Sequence, residues 1–326
     1  MKKIKWGILG AGRIAEKFVS DLAYVSNGEA FAVVSQTEGK AEAFANKYGI
    51  QKVYSSYAQF VQDPEIDAVY IATPHNFHFE QTKLCLENKK AVLCEKAVTV
   101  NLQQLSELQH LATQNNVFYM EAMWTYFLPT MRKAKEWIDA GKIGEVNTIK
   151  AEFGFKAPFD AQNRVFNPHL AGGALLDIGI YPIAFSLFFA KGKVKQIASI
   201  AKMGTTQIDE ENALSILFET GELAVLNSSV LVALHNDGYI YGSKGFIHLP
   251  YFWRGSKAVL NSDSETIAFE DKREAWGYNF EAQHVGEMLL QGKTQSQVVS
   301  FEHSRELMSV MDIVREQNNF KYPFEK

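Results

Sequence analysis

Residues 4–18 read IKWGILGAGRIAEKF, and the order of residue types in them decides the fold. An apolar run of strand length stops at Gly10-Ala11-Gly12, and a helical pattern begins at once with Arg13, Ile14 and Ala15. Gly10 permits a tight turn, Gly12 leaves the backbone bare for close approach, and Ala15 lets the helix pack tightly on the strand. A helix opening on such a turn aims the unpaired amides of its first residues at whatever sits in front, which suits a pyrophosphate. Gly10, Gly12, Arg13 and Ile14 are therefore the expected phosphate contacts of a bound dinucleotide. The same pattern also occurs as a bare glycine turn, so the elements that follow it carry weight.

Working outward, EAFAVVSQ (29–36), DAVYIAT (67–73) and AVLCEK (91–96) read as strands, and 76–89 and 101–115 carry the helical period. Asp63-Pro64 stops a short helix between them. Strand and helix alternation predicts a parallel sheet covered on both faces. After residue 145 the texture changes to longer runs, EVNTIKAEFGFK, VKQIASIAK, NALSILFET, ELAVLNSSVLVAL and GYIYGSKGFIHL, joined by turns such as Thr220-Gly221 and Lys244-Gly245. Two helical patterns, FEAQHVGEMLLQG and SFEHSRELMSVMDIVREQ, follow. The expected fold is α/β: a Rossmann dinucleotide-binding domain over 1–122, then an α+β domain over 123–326 built on a large, open-faced, mostly antiparallel sheet.

Composition narrows the function. A chain of 326 residues that is 47% hydrophobic buries a large core and exceeds the usual size of one domain. Its net charge is -4, with no basic run interleaved with aromatics, which argues against nucleic acid. The start, MKKIKWGILGAG, has the charge and apolar run of a secretory signal but passes into the glycine turn without a cleavage site. No apolar segment is expected to approach the ~20 residues that span a bilayer, so no membrane partner is expected. Two thiols, Cys85 and Cys94, make neither a disulfide nor a metal framework, which points to a reducing, cytoplasmic setting. His75 and His78, three apart, lack the further ligands a zinc site wants, and no metal is expected.

Four further stretches carry chemistry. The second strand ends VVSQTEGK, where an acid binds a free ribose 2′-hydroxyl and a basic residue binds a 2′-phosphate. Ser35 and Gln36 are neutral and Lys40 is near, which favours NADP with NAD still possible. ATPHNFH (72–78) closes the next strand at the sheet's carboxyl edge, so Thr73, Pro74, His75 and His78 are expected to line the cofactor crevice, with a polar cap on the following helix the alternative for one histidine. In VLCEKAVTVN (92–101), Glu95 and Lys96 end a buried strand. An alcohol that loses a hydride also loses a proton, and a lysine near its oxygen favours the alkoxide and acts as a base once its pKa falls. GGALLDIGIYP (172–182) sets Asp177 and Tyr181 four apart, one helical turn, so both can face one crevice. A helix cap and a core aromatic are the structural alternatives for these two.

GILGAGRIA, PEIDAVYIATPHNFH, VLCEKAVTVN, MEAMWTYFLP and GGALLDIGIYP, in this order, resemble the glucose-fructose oxidoreductase and inositol dehydrogenase (Gfo/Idh/MocA) family. GYNFEAQHV and the terminal NNFKYPFE extend the likeness to the branch of dimeric dihydrodiol dehydrogenases and NADP-dependent aldose 1-dehydrogenases. The resemblance implies that Lys96 lies beside the nicotinamide, with Tyr181 the acid/base and Lys96 and Asp177 tuning and orienting it. It also implies Trp124 against the nicotinamide, Arg164 near cofactor or substrate, and a homodimer through the second-domain sheet. The implied activity is NAD(P)-dependent hydride transfer to or from a polyhydroxylated ring, an aldose or a trans-dihydrodiol. The alternatives are a non-catalytic NAD(P)-binding regulator and an NAD-dependent glycosidase of the same fold. Trp124, Phe155, Phe166, Tyr181 and Trp253 are candidate walls for a sugar face.

The chain departs from the pattern at four places. Glu95-Lys96-Ala97 replaces Glu-Lys-Pro, so Lys96 is expected to reach the nicotinamide through a retained cis bond or a compensating turn. Tyr126 replaces the arginine of Trp-Thr-Arg, Ala171 stands where a triple glycine begins, and Gln36 stands where the branch has arginine.

Overall fold

The computed structural model describes residues 3–325. In chain order it runs β1 (Ile4–Leu9), α1 (Arg13–Asp21), β2 (Gly28–Val34), α2 (Lys40–Tyr48), β3 (Lys52–Tyr54), α3 (Tyr57–Gln62), β4 (Ala68–Ile71), α4 (His75–Glu87), β5 (Ala91–Glu95), α5 (Leu102–Asn115) and β6 (Tyr119–Ala122). There follow α6 (Pro129–Asp139), β7 (Val146–Gly154), a π-helix (Leu175–Gly179), α7 (Ile180–Phe189), β8 (Val194–Met203), β9 (Asp209–Phe218) and β10 (Leu223–Ser229). The chain ends with β11 (Gly238–Gly242), β12 (Gly245–Leu249), β13 (Lys257–Ser262), β14 (Thr266–Glu270), α8 (Tyr278–Leu290) and α9 (Phe301–Gln317).

Two compact units result, Met1–Trp124 with Arg273–Arg305, and Thr125–Lys272 with Glu306–Lys326. The first crossing lies two residues beyond the boundary expected between 122 and 123. The return of 273–305 to the first unit has no counterpart in the sequence reading. A long-range contact holds it there: the Asp21 carboxylate, at the end of α1, accepts the amides of Gly277 and Tyr278 at 2.8 Å each and so caps α8.

The first unit is a six-stranded sheet in the order β3-β2-β1-β4-β5-β6, every pair parallel. The order reverses between β1 and β4, so the glycine turn after β1 stands at a topological switch point, where ligands of open α/β sheets bind. The central strands are covered on both faces, with Trp6, Ile8, Val69, Tyr70, Val92 and Leu93 fully buried, as a parallel sheet requires. Asn101 caps α5 by accepting the Gln104 amide at 2.9 Å.

The second unit is an eight-stranded sheet, β14-β13-β12-β11-β7-β10-β9-β8. All neighbours are antiparallel except β7 and β10. A parallel pair needs a crossover, and the chain between them includes α7, which packs on both strands. Helix α7 is apolar all round, and Pro168–Phe189 is, against expectation, long and apolar enough to cross a membrane. It is 89% buried within the protein, which marks a core helix. The sheet's other face carries exposed Ile200 (76%) and Val225 (43%) and a groove of about 850 Å³ whose lining includes Ala198, Leu214, Tyr239 and Tyr241.

Candidate active site

In the first unit the two glycines do different work. Gly10 has φ +100°, and a Cβ there would stand 2.9 Å from Thr73 Cγ2 and 3.0 Å from the Ala72 carbonyl, so the fold itself requires glycine. Gly12 has φ −98°, open to any residue, and an added Cβ would meet only the Ala72 oxygen at 3.9 Å. The space in front of Gly12 is open, as a phosphate cradle needs. Arg13 and Ile14 open α1 from there, and Ala15 is fully buried. At the end of β2, Ser35 Oγ accepts the Thr37 amide at 3.2 Å and Gln36 is exposed.

Helix α4 starts at Pro74-His75, and its two histidines turn inward instead of lining an open crevice. His75 Nε2 contacts the Lys96 carbonyl at 3.2 Å; His78 Nδ1 contacts the Ala97 carbonyl at 2.8 Å and its Nε2 the Thr73 carbonyl at 2.8 Å. Burial pushes the His78 imidazole down to about 4, with the Lys96 ammonium adding to it against the pull of the two carbonyls. The Lys96–Ala97 peptide is cis. Thr73 Oγ1 donates to Gln81 Oε1 at 2.6 Å. Among the described residues no group of His, Cys, Asp and Glu is fit to hold a metal ion.

Behind Lys96 lies a set of buried groups that the sequence reading did not single out. The Tyr70 hydroxyl donates to Glu95 Oε1, and the Tyr70 ring stacks on Phe18 at 3.7 Å. Glu281, from α8, is wholly buried with both carboxyl oxygens lacking a hydrogen-bond partner among the described residues. Burial first, then the charges of Glu95 and Asp21, hold it well above the usual carboxylate range, which favours the protonated form. Burial also lifts Glu121, which accepts the Val98 amide at 3.2 Å, to about 7. The signal was present: MEAMW and GYNFEAQHV each set a glutamate among apolar neighbours. Trp124 is buried and stacks on Tyr278 at 4.5 Å.

In the second unit Asp177 sits on the π-helix and Tyr181 on the first turn of α7. Their spacing of four therefore does not make one α-helical turn, because the wider π-turn intervenes; such turns recur at functional sites. Arg164, expected near cofactor or substrate, grips the Asp177 carboxylate with Nη1 at 3.0 Å and Nη2 at 3.3 Å. Tyr181 is 6% exposed, its ring 5.6 Å from that of Phe153 and 5.8 Å from that of Trp253, which stack on each other at 4.6 Å. Phe155 and Trp253 are half-buried, whereas Phe166 is core, at 1% exposure. Tyr126 donates its hydroxyl to the Ala184 carbonyl at 2.7 Å and so anchors α7.

Comparison with known proteins follows this division. The family described as "Oxidoreductase family, NAD-binding Rossmann fold" matches residues 4–123, and the "GFO/IDH/MocA C-terminal domain" matches residues 131–248. The chain is 33% identical over 329 residues to trans-1,2-dihydrobenzene-1,2-diol dehydrogenase of Xenopus laevis, covering 98% of this chain and 99% of that one. Among solved structures it is similar to the aldose-aldose oxidoreductase from Caulobacter crescentus complexed with glycerol (TM-score 0.89, 20% identity, 98% of each chain). It is also similar to a 3-ketoreductase from Actinomadura kijaniata in complex with NADP and TDP-benzene (TM-score 0.88, 22% identity, 97% of this chain and 98% of that one). Those two likenesses speak to the fold.

Proposed function

This chain belongs to the Gfo/Idh/MocA oxidoreductase family and is an NAD(P)-dependent oxidoreductase, and from that premise we propose that it acts on a polyhydroxylated ring, an aldose or a trans-dihydrodiol, with NADP preferred. The observation that carries the proposal is the anchoring of the Lys96 segment. Carbonyls on both sides of the Lys96–Ala97 bond meet buried histidines, and Glu95 is held by Tyr70. That much fixed structure around one lysine at the ligand edge of a Rossmann sheet fits a working ammonium better than a solvated surface charge.

The cradle at Gly10 and Gly12, with the amides of Arg13 and Ile14, fits the pyrophosphate; Ser35, Gln36, Thr73, Pro74 and Trp124 are the further cofactor positions, while buried His75, His78 and Glu95 brace the segment that carries Lys96. Bound NAD(P) supplies the hydride chemistry. The protein handles the proton: in the second unit the Tyr181 hydroxyl is suited to exchange it with a substrate oxygen, and in the first unit the Lys96 ammonium is suited to stabilise negative charge. Asp177, its carboxylate plane fixed by Arg164, orients the hydroxyl. Arg164 acts through Asp177 in this reading. The neutral pair Ser35 and Gln36 supports NADP, since no carboxylate there repels a 2′-phosphate, and the similar dehydrogenase supports the diol class.

The first domain carries the cofactor in this reading and the second the substrate. The open sheet face with Ile200, Val225, Tyr239 and Tyr241 is the homodimer surface, because apolar side chains on an exposed sheet face call for a cover. The buried free thiols Cys85 and Cys94 suit a cytoplasmic setting. The test is reduced-nicotinamide absorbance with NADP or NAD and a panel of aldoses, inositols, dihydrodiols and keto sugars. Turnover of one class with NADP supports the proposal; silence across the panel with cofactor bound rejects it in favour of the regulator. Cleavage of aryl glycosides without net nicotinamide change rejects it in favour of the glycosidase.

A further inference from the structure

The first amides of a helix have no partner within it, and something outside must accept them. At the π-helix that carries Asp177, the Leu175 amide is accepted at 2.6 Å by Oδ2 of Asp209, which is 1% exposed on the first residue of β9. The same oxygen accepts Asn212 Nδ2 at 2.6 Å. Asn212 is paired in the sheet with Ser228 of β10, so the carboxylate is keyed to the sheet's register. Oδ1 lies against Gly173, which has φ +120° and where an added Cβ would come within 2.1 Å of it. One residue earlier the Gly172 carbonyl accepts the buried Tyr322 hydroxyl at 2.8 Å. Burial raises the Asp209 carboxyl to about 6, against the bonds from Asn212 and Leu175 and, more weakly, the charge of Arg315 on α9. None of the motifs that mark the site in sequence contains Asp209.

We infer that Asp209 is a positioning residue: its bond to the Leu175 amide fixes the π-helix on the sheet and so sets where Asp177, and after it Tyr181, present their oxygens. The inference rests on the reading of Asp177 and Tyr181 as catalytic. Asp209 itself touches no reacting atom. A catalytic group displaced by about 1 Å loses on the order of 100-fold in rate.

The test uses the full chain as wild type, D209A, D209L, D209N, N212A and Y181F, with the most active aldose or dihydrodiol of the panel and NADP. D209A and D209L are expected to lose about 100-fold in kcat, with KM for NADP unchanged because the cofactor cradle lies in the other unit. D209N restores kcat, since its amide oxygen can replace Oδ2 and accept both bonds. Amide hydrogen exchange at Leu175 rises in D209A and D209L and not in D209N. A folded D209A or D209L with wild-type kcat, or D209N as slow as either, overturns the inference while an inactive Y181F leaves the proposed function standing. Should neither apolar variant fold, N212A decides: it removes one of the two bonds to the carboxylate, together with a 3.5 Å contact to Ser228 Oγ, and about a fivefold loss in kcat is expected, while wild-type kcat overturns the inference. A fully active Y181F removes instead the reading on which it rests.

Discussion

Arg164 and Asp177 form a two-pronged pair, Nη1 to Oδ1 at 3.0 Å and Nη2 to Oδ2 at 3.3 Å, between a half-exposed guanidinium and a carboxylate that is 8% exposed. A fork of this kind fixes the plane of the carboxylate as well as its place. Lysine offers one point charge and cannot hold both oxygens. Arg164→Lys is therefore expected to lower kcat by about tenfold, roughly the 1.4 kcal/mol of one charge-assisted bond. Its melting temperature should hardly move, because a half-exposed pair is worth only about 1 kcal/mol or less. Steady-state kinetics and thermal melts check both; a variant that melts early yet turns over normally contradicts the assignment.

Tyr181→Phe keeps the ring that packs near Phe153 and Trp253 and removes only the hydroxyl. Loss of a proton-transfer group costs about 10²–10⁴ in rate. Turnover should fall by that order while NADP affinity, read by fluorescence titration, stays as in the wild type. Unchanged turnover rejects Tyr181 as the acid/base.

Gly10→Ala and Gly12→Ala should separate folding from binding. The first forces a side chain to φ +100° against Thr73 and Ala72 and is expected to destabilise by more than about 1 kcal/mol. The second meets no protein atom closer than 3.9 Å. It should melt like the wild type and bind NADP at least about tenfold more weakly, because its methyl enters the phosphate cradle. Titration calorimetry beside melting curves distinguishes the two; equal NADP affinity in Gly12→Ala contradicts the placement of the cofactor.

Glu281 predicts a pH dependence of stability. The folded protein keeps on this buried carboxyl a proton that the unfolded chain releases above about its ordinary value of 4.5. Stability therefore falls as pH rises beyond that value, by up to about 1.4 kcal/mol per pH unit, until the folded state releases the proton too. Glu281→Gln has no proton to lose. Its stability relative to the wild type should grow with pH, measured by urea unfolding at about pH 5 and about pH 8. A difference that does not change with pH contradicts a neutral Glu281.

Much of this was legible in the residues. The alternation of strands and helices up to residue 115, the glycine turn, and the Lys96 and Asp177-Tyr181 stretches all show in the chain, because periodicity and turn chemistry are local. What was not legible depends on contacts between distant segments. Nothing local distinguishes a histidine that lines a crevice from one, such as His78, whose ring spans two backbone carbonyls. The parallel pairing of β7 with β10, the return of 273–305 to the first unit and the bond from Asp209 to Leu175 are likewise set by tertiary packing. The edge strand β14 and its neighbour β13 do not show in the chain, because short runs such as TIAFE alternate between exposed and half-buried residues. The π-turn was hidden for a different reason: an α-turn and a π-turn share the same residue preferences, and Asp209 becomes visible only with the fold.

The central claim, that the anchored Lys96 serves hydride transfer to or from a polyhydroxylated ring, is tested most directly by one comparison. Wild type and Lys96→Ala are mixed with NADP and the best substrate of the aldose and dihydrodiol panel, and reduced-nicotinamide absorbance is followed. The account predicts steady turnover in the wild type and a loss of about 100-fold or more in Lys96→Ala, with NADP still bound. Turnover in Lys96→Ala equal to that of the wild type contradicts it.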